Sequence, residues 1–180
     1  MNKEFSKDVY RYYGEKGETI AQRMLRPPEL KYIALFRKAN TCKFAPLRFY
    51  YTVKLKLFSF KTNIQIPART KIGEGFYIGH SGRVIINPEA KLGKNINIST
   101  GVTIGYENRG ERKGAPTLEG ECWIGTNSVI VGNVNIGKDV LIAPLTFVNF
   151  DVPAHSIVIG NPAKIISREN ATKDYICNKV

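Results

Sequence analysis

Residues 66–78 read IPARTKIGEGFYI, and residues 118–148 read LEGECWIGTNSVIVGNVNIGKDVLIAPLTFV. Both count in sixes. Ile66, Ile72 and Ile78 head three successive hexapeptides, and Ile86, Leu92, Ile98 and Ile104 resume the count after a slip of two residues. A second slip, of eight residues, precedes Leu118, Ile124, Ile130, Ile136, Ile142 and Val148. Thirteen aliphatic residues therefore share one register broken twice. A fixed six-residue period is the sign of a parallel β-helix, in which three short strands and three corners, about 18 residues, close one coil. Neither the 3.6-residue period of a helix nor the two-residue period of a half-buried strand fits it. Each leading aliphatic is expected to point inward and stack on its counterpart one coil away. A coil absorbs extra residues only by expelling a loop, so residues 79–85 should bulge at a corner and residues 105–117 should project further. Loops held by a rigid scaffold are where function concentrates.

Outside the repeat the chain reads differently. Its 180 residues are 43% apolar and 23% charged, which fits a globular chain with one good core. No stretch approaches the roughly 20 apolar residues that span a bilayer, and residues 1–18 lack the apolar run of a signal peptide. Cys42, Cys122 and Cys177 are scattered, form no CxxC pair and point to a reducing cytoplasm, with Cys122 a small hydrophobe on the coil wall. The division is residues 1–60 as a helical cap region, 61–168 as the β-helix and 169–180 as a tail. Pro27-Pro28-Glu29 marks a helix start, with LKYIALFRKA following, and Ala45-Pro46 starts a second helix over LRFYYTVKLKLFS. The second helix is expected to cap the open end of the coil; a basic, aromatic helix resting on an anionic membrane is the alternative role.

Net charge is +12, and residues 1–60 carry 13 of the 27 basic residues but 5 of the 15 acids. No nucleic-acid-binding motif accompanies that charge, so nucleic acid is set aside in favour of anionic small molecules, polyanions or lipid-linked acceptors. Two histidines are too few for a His₃ metal site, and no Walker or Rossmann glycine pattern is present, so no metal is expected. His80 lies in the first expelled bulge and His155 in a later turn, VPAHSIV, where a surface role is expected.

The segments IGEGFYIGHSGRVIINPEAKLGKNINISTGVTIG, IGTNSVIVGNVNIGKDVLIAP and DVPAHSIVIGNPAKII resemble the hexapeptide-repeat acyltransferases, most closely the serine acetyltransferase branch. The resemblance implies a mainly β chain built as a left-handed parallel β-helix with a short α-helical N-terminal region, a homotrimer, and acetyl-CoA as donor. It implies that His80 is the general base, the side chain best matched to removing a hydroxyl proton near neutral pH. Gln65 stands where that branch has the aspartate that orients the histidine, with Glu89 the other candidate partner. For CoA it implies corner positions Gly105, Tyr106, Thr126, Ala143 and Pro144, with Lys164 at a phosphate and an amide near Gly105 or Tyr106 at the oxyanion. Asn108, Arg109, Arg112 and Lys113 of the large loop are the acceptor-binding candidates, shared with a neighbouring subunit.

Besides Gln65, the chain departs from the branch at three points. Gly79 replaces the aspartate before the histidine, and Gly114 and Ala115 replace an Arg-His pair that grips the amino acid. A sugar hydroxyl of a surface polysaccharide is therefore the expected acceptor, with serine O-acetylation as the alternative. A non-catalytic trimeric scaffold is the reading from another class.

Overall fold

A computed structural model describes residues 3–180. Four α-helices come first: α1 (Lys3–Tyr13), α2 (Ile20–Met24), α3 (Pro28–Thr41) and α4 (Ala45–Thr62), with a single 3-10 turn, Gly14–Lys16, after α1. Fifteen short strands follow: β1 (Ile64–Gln65), β2 (Lys71–Ile72), β3 (Tyr77–Ile78), β4 (Val84–Ile86), β5 (Lys91–Lys94), β6 (Asn97–Ile98), β7 (Thr103–Gly105), β8 (Thr117–Gly120), β9 (Cys122–Ile124), β10 (Val129–Val131), β11 (Asn135–Ile136), β12 (Val140–Ile142), β13 (Phe147–Val148), β14 (Ser156–Gly160) and β15 (Ala163–Ser167). They form three parallel sheets: sheet A runs β1-β4-β7-β10-β13, sheet B runs β2-β5-β8-β11, and sheet C runs β3-β6-β9-β12-β14, with β15 added antiparallel. Strands β1 to β13 visit the three sheets in turn, which is the prism expected from the six-residue count.

The register is the expected one. Ile72 pairs with Leu92 and Leu92 with Leu118 on sheet B; Ile78, Ile98, Ile124 and Ile142 stack on sheet C; Ile86, Ile104, Ile130 and Val148 stack on sheet A. All thirteen aliphatics of the count are buried. Columns of isoleucine suit this position because the β-branched side chain packs well on a pleated surface. Glycine has a steric reason at the corners. A Cβ on Gly93 would lie 1.9 Å from the Glu119 carbonyl oxygen, and one on Gly125 would lie 2.5 Å from Pro144 N.

Helices α3 and α4 begin at the proline signals. The cap does not follow expectation: α1 and α3, not α4, close the first coil. A bare strand edge carries N–H and C=O groups that need partners, and polar side chains of α1 and α3 supply them. Tyr32 accepts from Ile66 N at 2.9 Å, Asp8 accepts from Phe76 N at 2.8 Å, and Tyr12 donates to Ile78 O at 2.8 Å. Arg37 donates to Ile72 O at 2.7 Å and Gly73 O at 2.6 Å, while its Nε and Nη2 grip Asp8 at 2.7 and 3.0 Å. Both members of that ion pair are fully buried. Helix α4 packs on α3 and buries only Leu55 and Thr62 fully.

Residues 170–180 return along sheet C. Asp139 accepts hydrogen bonds from Ala171 N (3.0 Å), Thr172 N (2.9 Å) and Thr172 Oγ1 (2.6 Å). Further along, Tyr175 packs edge-on against Trp123, Asn97 donates to Tyr175 O, Arg11 donates to Cys177 O, and Asn95 pairs with the main chain of Val180.

Candidate active site

The two period breaks fall where the count places them, on different edges of the prism. The first, residues 79–83, joins β3 to β4 across the edge between sheets C and A. The second, residues 106–116, joins β7 to β8 across the edge between A and B.

His80 is exposed at the first break and makes no side-chain hydrogen bond among the described residues. Its neighbours are the finding. Ser81 Oγ donates to Glu29 Oε2 at 2.6 Å, and Glu29, from the first turn of α3, is buried. The bulge thus receives a carboxylate from a residue 52 positions away in sequence. The Glu29 charge is also felt by two tyrosines. Burial pushes the Tyr12 hydroxyl well above its ordinary value and Tyr77 above its own, with the Glu29 charge adding to both; the charge of Arg11 opposes the rise at Tyr77. The bulge is pinned below by Gly82 N donating to Thr62 O (3.2 Å) and above by Arg83 O accepting from Gly101 N (2.6 Å). The Arg83 side chain is exposed in the same loop.

Neither sequence-derived partner makes a hydrogen bond to His80 among the described residues. Gln65 lies exposed on β1 and lines an apolar cleft between α4 and β1 with Leu55, Phe60, Ile66 and Pro67, a cleft that His80 does not line. Glu89 lines a groove with Arg69, Lys71 and Lys91 at the sheet B face. No spacing signal marks Glu29, because a contact from helix to corner has no period.

The cofactor candidates divide between the two edges. Thr126, Ala143 and Pro144 lie on the edge of His80, two and three coils further on, and Lys164 lies in the return strand β15. Three strand spacings put Ala143 about 14 Å along this edge from the His80 corner. Ala143 N already donates to Val158 O at 2.8 Å and Pro144 has no N–H, so neither offers a free amide. Thr126 instead accepts from Leu145 N at 2.9 Å. Gly105 and Tyr106 sit at the other edge, with the large loop.

That loop projects less than expected. Glu107 and Gly114 pair across it as a small antiparallel bridge, and Arg112 O accepts from Asn133 N at 2.8 Å. Arg112 Nη1 is 3.6 Å from Asp151, while Asn108, Arg109 and Lys113 are exposed. Gly114 has φ +139, and a Cβ there would meet Asn133 Cβ at 2.9 Å, so backbone and space both exclude a longer side chain. Sheet A separates the four acceptor candidates from His80 within one chain.

His155 is the turn residue expected. It has φ +55, and Nδ1 lies 2.9 Å from Asp139 Oδ2. Burial pushes the Asp139 carboxyl up, but hydrogen bonds from Thr172, His155 and Ala171 outweigh it and hold the group below its usual value. Burial pushes the Cys122 thiol up to about 12, in keeping with a packing role. Among the described residues, no three His, Cys, Asp or Glu side chains gather as a metal set, and no helix is long and apolar enough to cross a membrane.

No family model matches the chain. Curated relatives do. The chain is 32% identical over 124 residues to a serine acetyltransferase of Helicobacter pylori, covering 68% of this chain and 72% of that one. It is 33% identical over 107 residues to a serine acetyltransferase of Bacillus licheniformis, where it spans 59% of its own length and 50% of the relative's. Among solved structures, a serine acetyltransferase of Brucella abortus in complex with coenzyme A superposes with a TM-score of 0.73 at 22% identity, over 92% of this chain and 66% of that one. That likeness shows the fold, a left-handed parallel β-helix behind N-terminal helices. The sugar acceptor expected from the three departures finds no support here, since these relatives are all serine acetyltransferases. Because the identity to the Helicobacter protein runs over most of both chains, this chain belongs to the serine acetyltransferase branch of the hexapeptide-repeat acyltransferases.

Proposed function

We propose that this protein transfers the acetyl group of acetyl-CoA to the hydroxyl of serine, with His80 as general base. One observation carries the reading: a buried carboxylate, Glu29, is tied to the residue next to an exposed histidine at the head of the prism edge that also holds Thr126 and leads to Lys164. The sugar reading rested on the missing charges at Gly79, Gly114 and Ala115. Glu29 meets that objection for the ammonium of serine, and the guanidinium of Arg83 in the same loop offers a partner for its carboxylate; a zwitterion left without partners is costly to bury.

The chemistry is direct transfer. His80 takes the hydroxyl proton as the oxygen attacks the thioester carbonyl. The tetrahedral intermediate then collapses, the carbon–sulfur bond breaks, and the imidazolium returns its proton to the departing thiolate, giving O-acetylserine and free CoA. A carboxylate near the imidazolium favours the charged intermediate. Acetyl-CoA as donor is supported by the Brucella relative's complex with coenzyme A. A homotrimer assembled over sheet A, whose outward column includes Ile85, Val129 and Phe147, sets the His80 edge of one subunit against the large loop of the next.

CoA release, followed with a thiol reagent over a panel of L-serine and hexose, N-acetylhexosamine and uronic acid acceptors, tests the reading. L-Serine should turn over fastest, and His80→Ala should lose about 10²–10⁴-fold while His155→Ala changes little. Glu29→Gln should raise KM for serine about ten- to a hundredfold, the weight of a hydrogen bond to a charged group. Faster turnover of any sugar than of serine, or full activity in His80→Ala, overturns it.

A further inference from the structure

Helix α4 has two apolar faces. One, through Leu55 and the half-buried Tyr51 and Phe58, packs on the body of the protein. The other is bare. Phe49, Val53, Leu57 and Phe60 follow one another at steps of four, four and three residues, which places them in one stripe, and Tyr50 lies alongside. This stripe is on the side of the helix opposite Leu55. Phe49 is 71% exposed, Leu57 62% and Phe60 75%. Lys56 lies on one flank of the stripe, Lys54 and Lys61 on the other, each a turn position away from the apolar row. A contiguous exposed apolar row of this kind marks an interaction surface.

Charge says what covers it. From Leu30 to Gly73, 44 residues, the chain carries ten lysines and arginines and no acid. Arg37 is the buried cap residue, and the others leave the surroundings of α4 uniformly positive. A second α4 laid on the stripe would set lysine against lysine with no acid to relieve them, so self-association through this face is opposed by like charge. An aromatic and leucine stripe flanked by lysines suits the headgroup boundary of an anionic bilayer, where the rings enter and the lysine stems carry their charges up to the phosphates. No described helix is suited to crossing a membrane, so α4 would lie on the surface.

We infer that α4 is a peripheral membrane helix that docks the protein on anionic lipid through Phe49, Val53, Leu57 and Phe60, held electrostatically by Lys54, Lys56 and Lys61. The inference stands independently of the acceptor. It places the α4 end of the prism, with the first coil and its His80 corner, at the membrane-facing end of the protein.

The experiment is sedimentation of the full chain with vesicles of phosphatidylcholine alone or mixed with phosphatidylserine. The protein should pellet with the mixed vesicles only, and added salt should release it. Replacing Lys54, Lys56 and Lys61 together by glutamine should weaken binding about fivefold for each lysine, about a hundredfold in all. Phe49→Ser, Leu57→Ser and Phe60→Ser combined should abolish binding while leaving circular dichroism and the light-scattering mass unchanged, because these side chains are mostly exposed. Protein that stays in solution with both vesicle types, or variants that bind as the parent does, overturn the inference. A fall in particle mass caused by the three serine substitutions without vesicles overturns it also, and assigns the stripe to contact between subunits.

Discussion

Replacing Arg37 with methionine removes the residue that ties the helical cap to the first coil. Its guanidinium makes hydrogen bonds to Asp8 at 2.7 and 3.0 Å and to the carbonyls of Ile72 and Gly73 at 2.7 and 2.6 Å, in a site with no solvent exposure. Methionine fills similar space but leaves a buried carboxylate and two carbonyls without that donor. Breaking a buried pair from one side costs about 3–5 kcal/mol. For a chain of this length each kcal/mol moves the midpoint by about 2–4 °C, so thermal melting should fall by about 10 °C. A second signature separates this from simple loss of packing. Burial already raises the Asp8 carboxyl above its ordinary value, and Arg37 opposes that rise. Without Arg37 the folded-state value climbs further. An acid whose folded value lies above its unfolded one takes up its proton on folding, so its penalty is present at neutral pH and shrinks as pH falls toward the folded value. The deficit of Arg37→Met should therefore narrow between pH 7 and about pH 5, and Asp8→Asn in the same chain should recover part of it at pH 7. Melting within 2 °C of the parent, or a deficit independent of pH, would refute the reasoning.

Three further outcomes follow from local chemistry. Cys122, with its thiol pushed up to about 12, should resist thiol reagents in the folded protein while exposed Cys177 reacts, and should become reactive only on unfolding; mass spectrometry of labelled peptides reads this out. Asp139, held below its usual value, contributes stability that is present above the unfolded carboxyl value of about 4 and is lost as pH falls through its folded value. Asp139→Asn should thus lower stability at neutral pH and flatten the acid limb of the melting curve, with hydrogen exchange rising first in residues 170–180. Ile98→Ala, in the centre of a fully packed column, should cost about 2–5 kcal/mol, measured by urea unfolding, without shifting the neighbouring coils.

The coil was legible because its signal is local and repeated. Each of thirteen aliphatics obeys the same steric demand, so one count reads them all, and both slips appear as loops at the expected places. The helix starts at Pro28 and Ala45 were legible for a similar reason, since proline's fixed φ suits a first turn. What the count could not show was where the helices dock. Helix α1 spaces Phe5, Val9, Tyr12 and Tyr13 at helical intervals, which marks a helix but not what it meets, and its Asp8 and Tyr12 reach the first coil's main chain. The same blindness hid Glu29, whose arrival at the His80 corner depends on how α3 lies against the prism. Gln65, placed by alignment, and Glu89 line clefts that His80 does not line. Handedness is invisible to spacing, because a left- or right-wound coil uses the same six residues.

The return of residues 170–180 along sheet C changes how such a stack can come apart. Coils that touch only their neighbours behave as a one-dimensional array, free to unzip from either end. Here one segment is fastened to Asp139 in the upper coils and to Asn95, Asn97 and Arg11 near the first coil. Loosening the lower end strips contacts from a segment that the upper end also holds, and the reverse is equally true. The two ends share a fate, and the prism is expected to melt as one unit, where a coil stack lacking such a strap would fray from its ends.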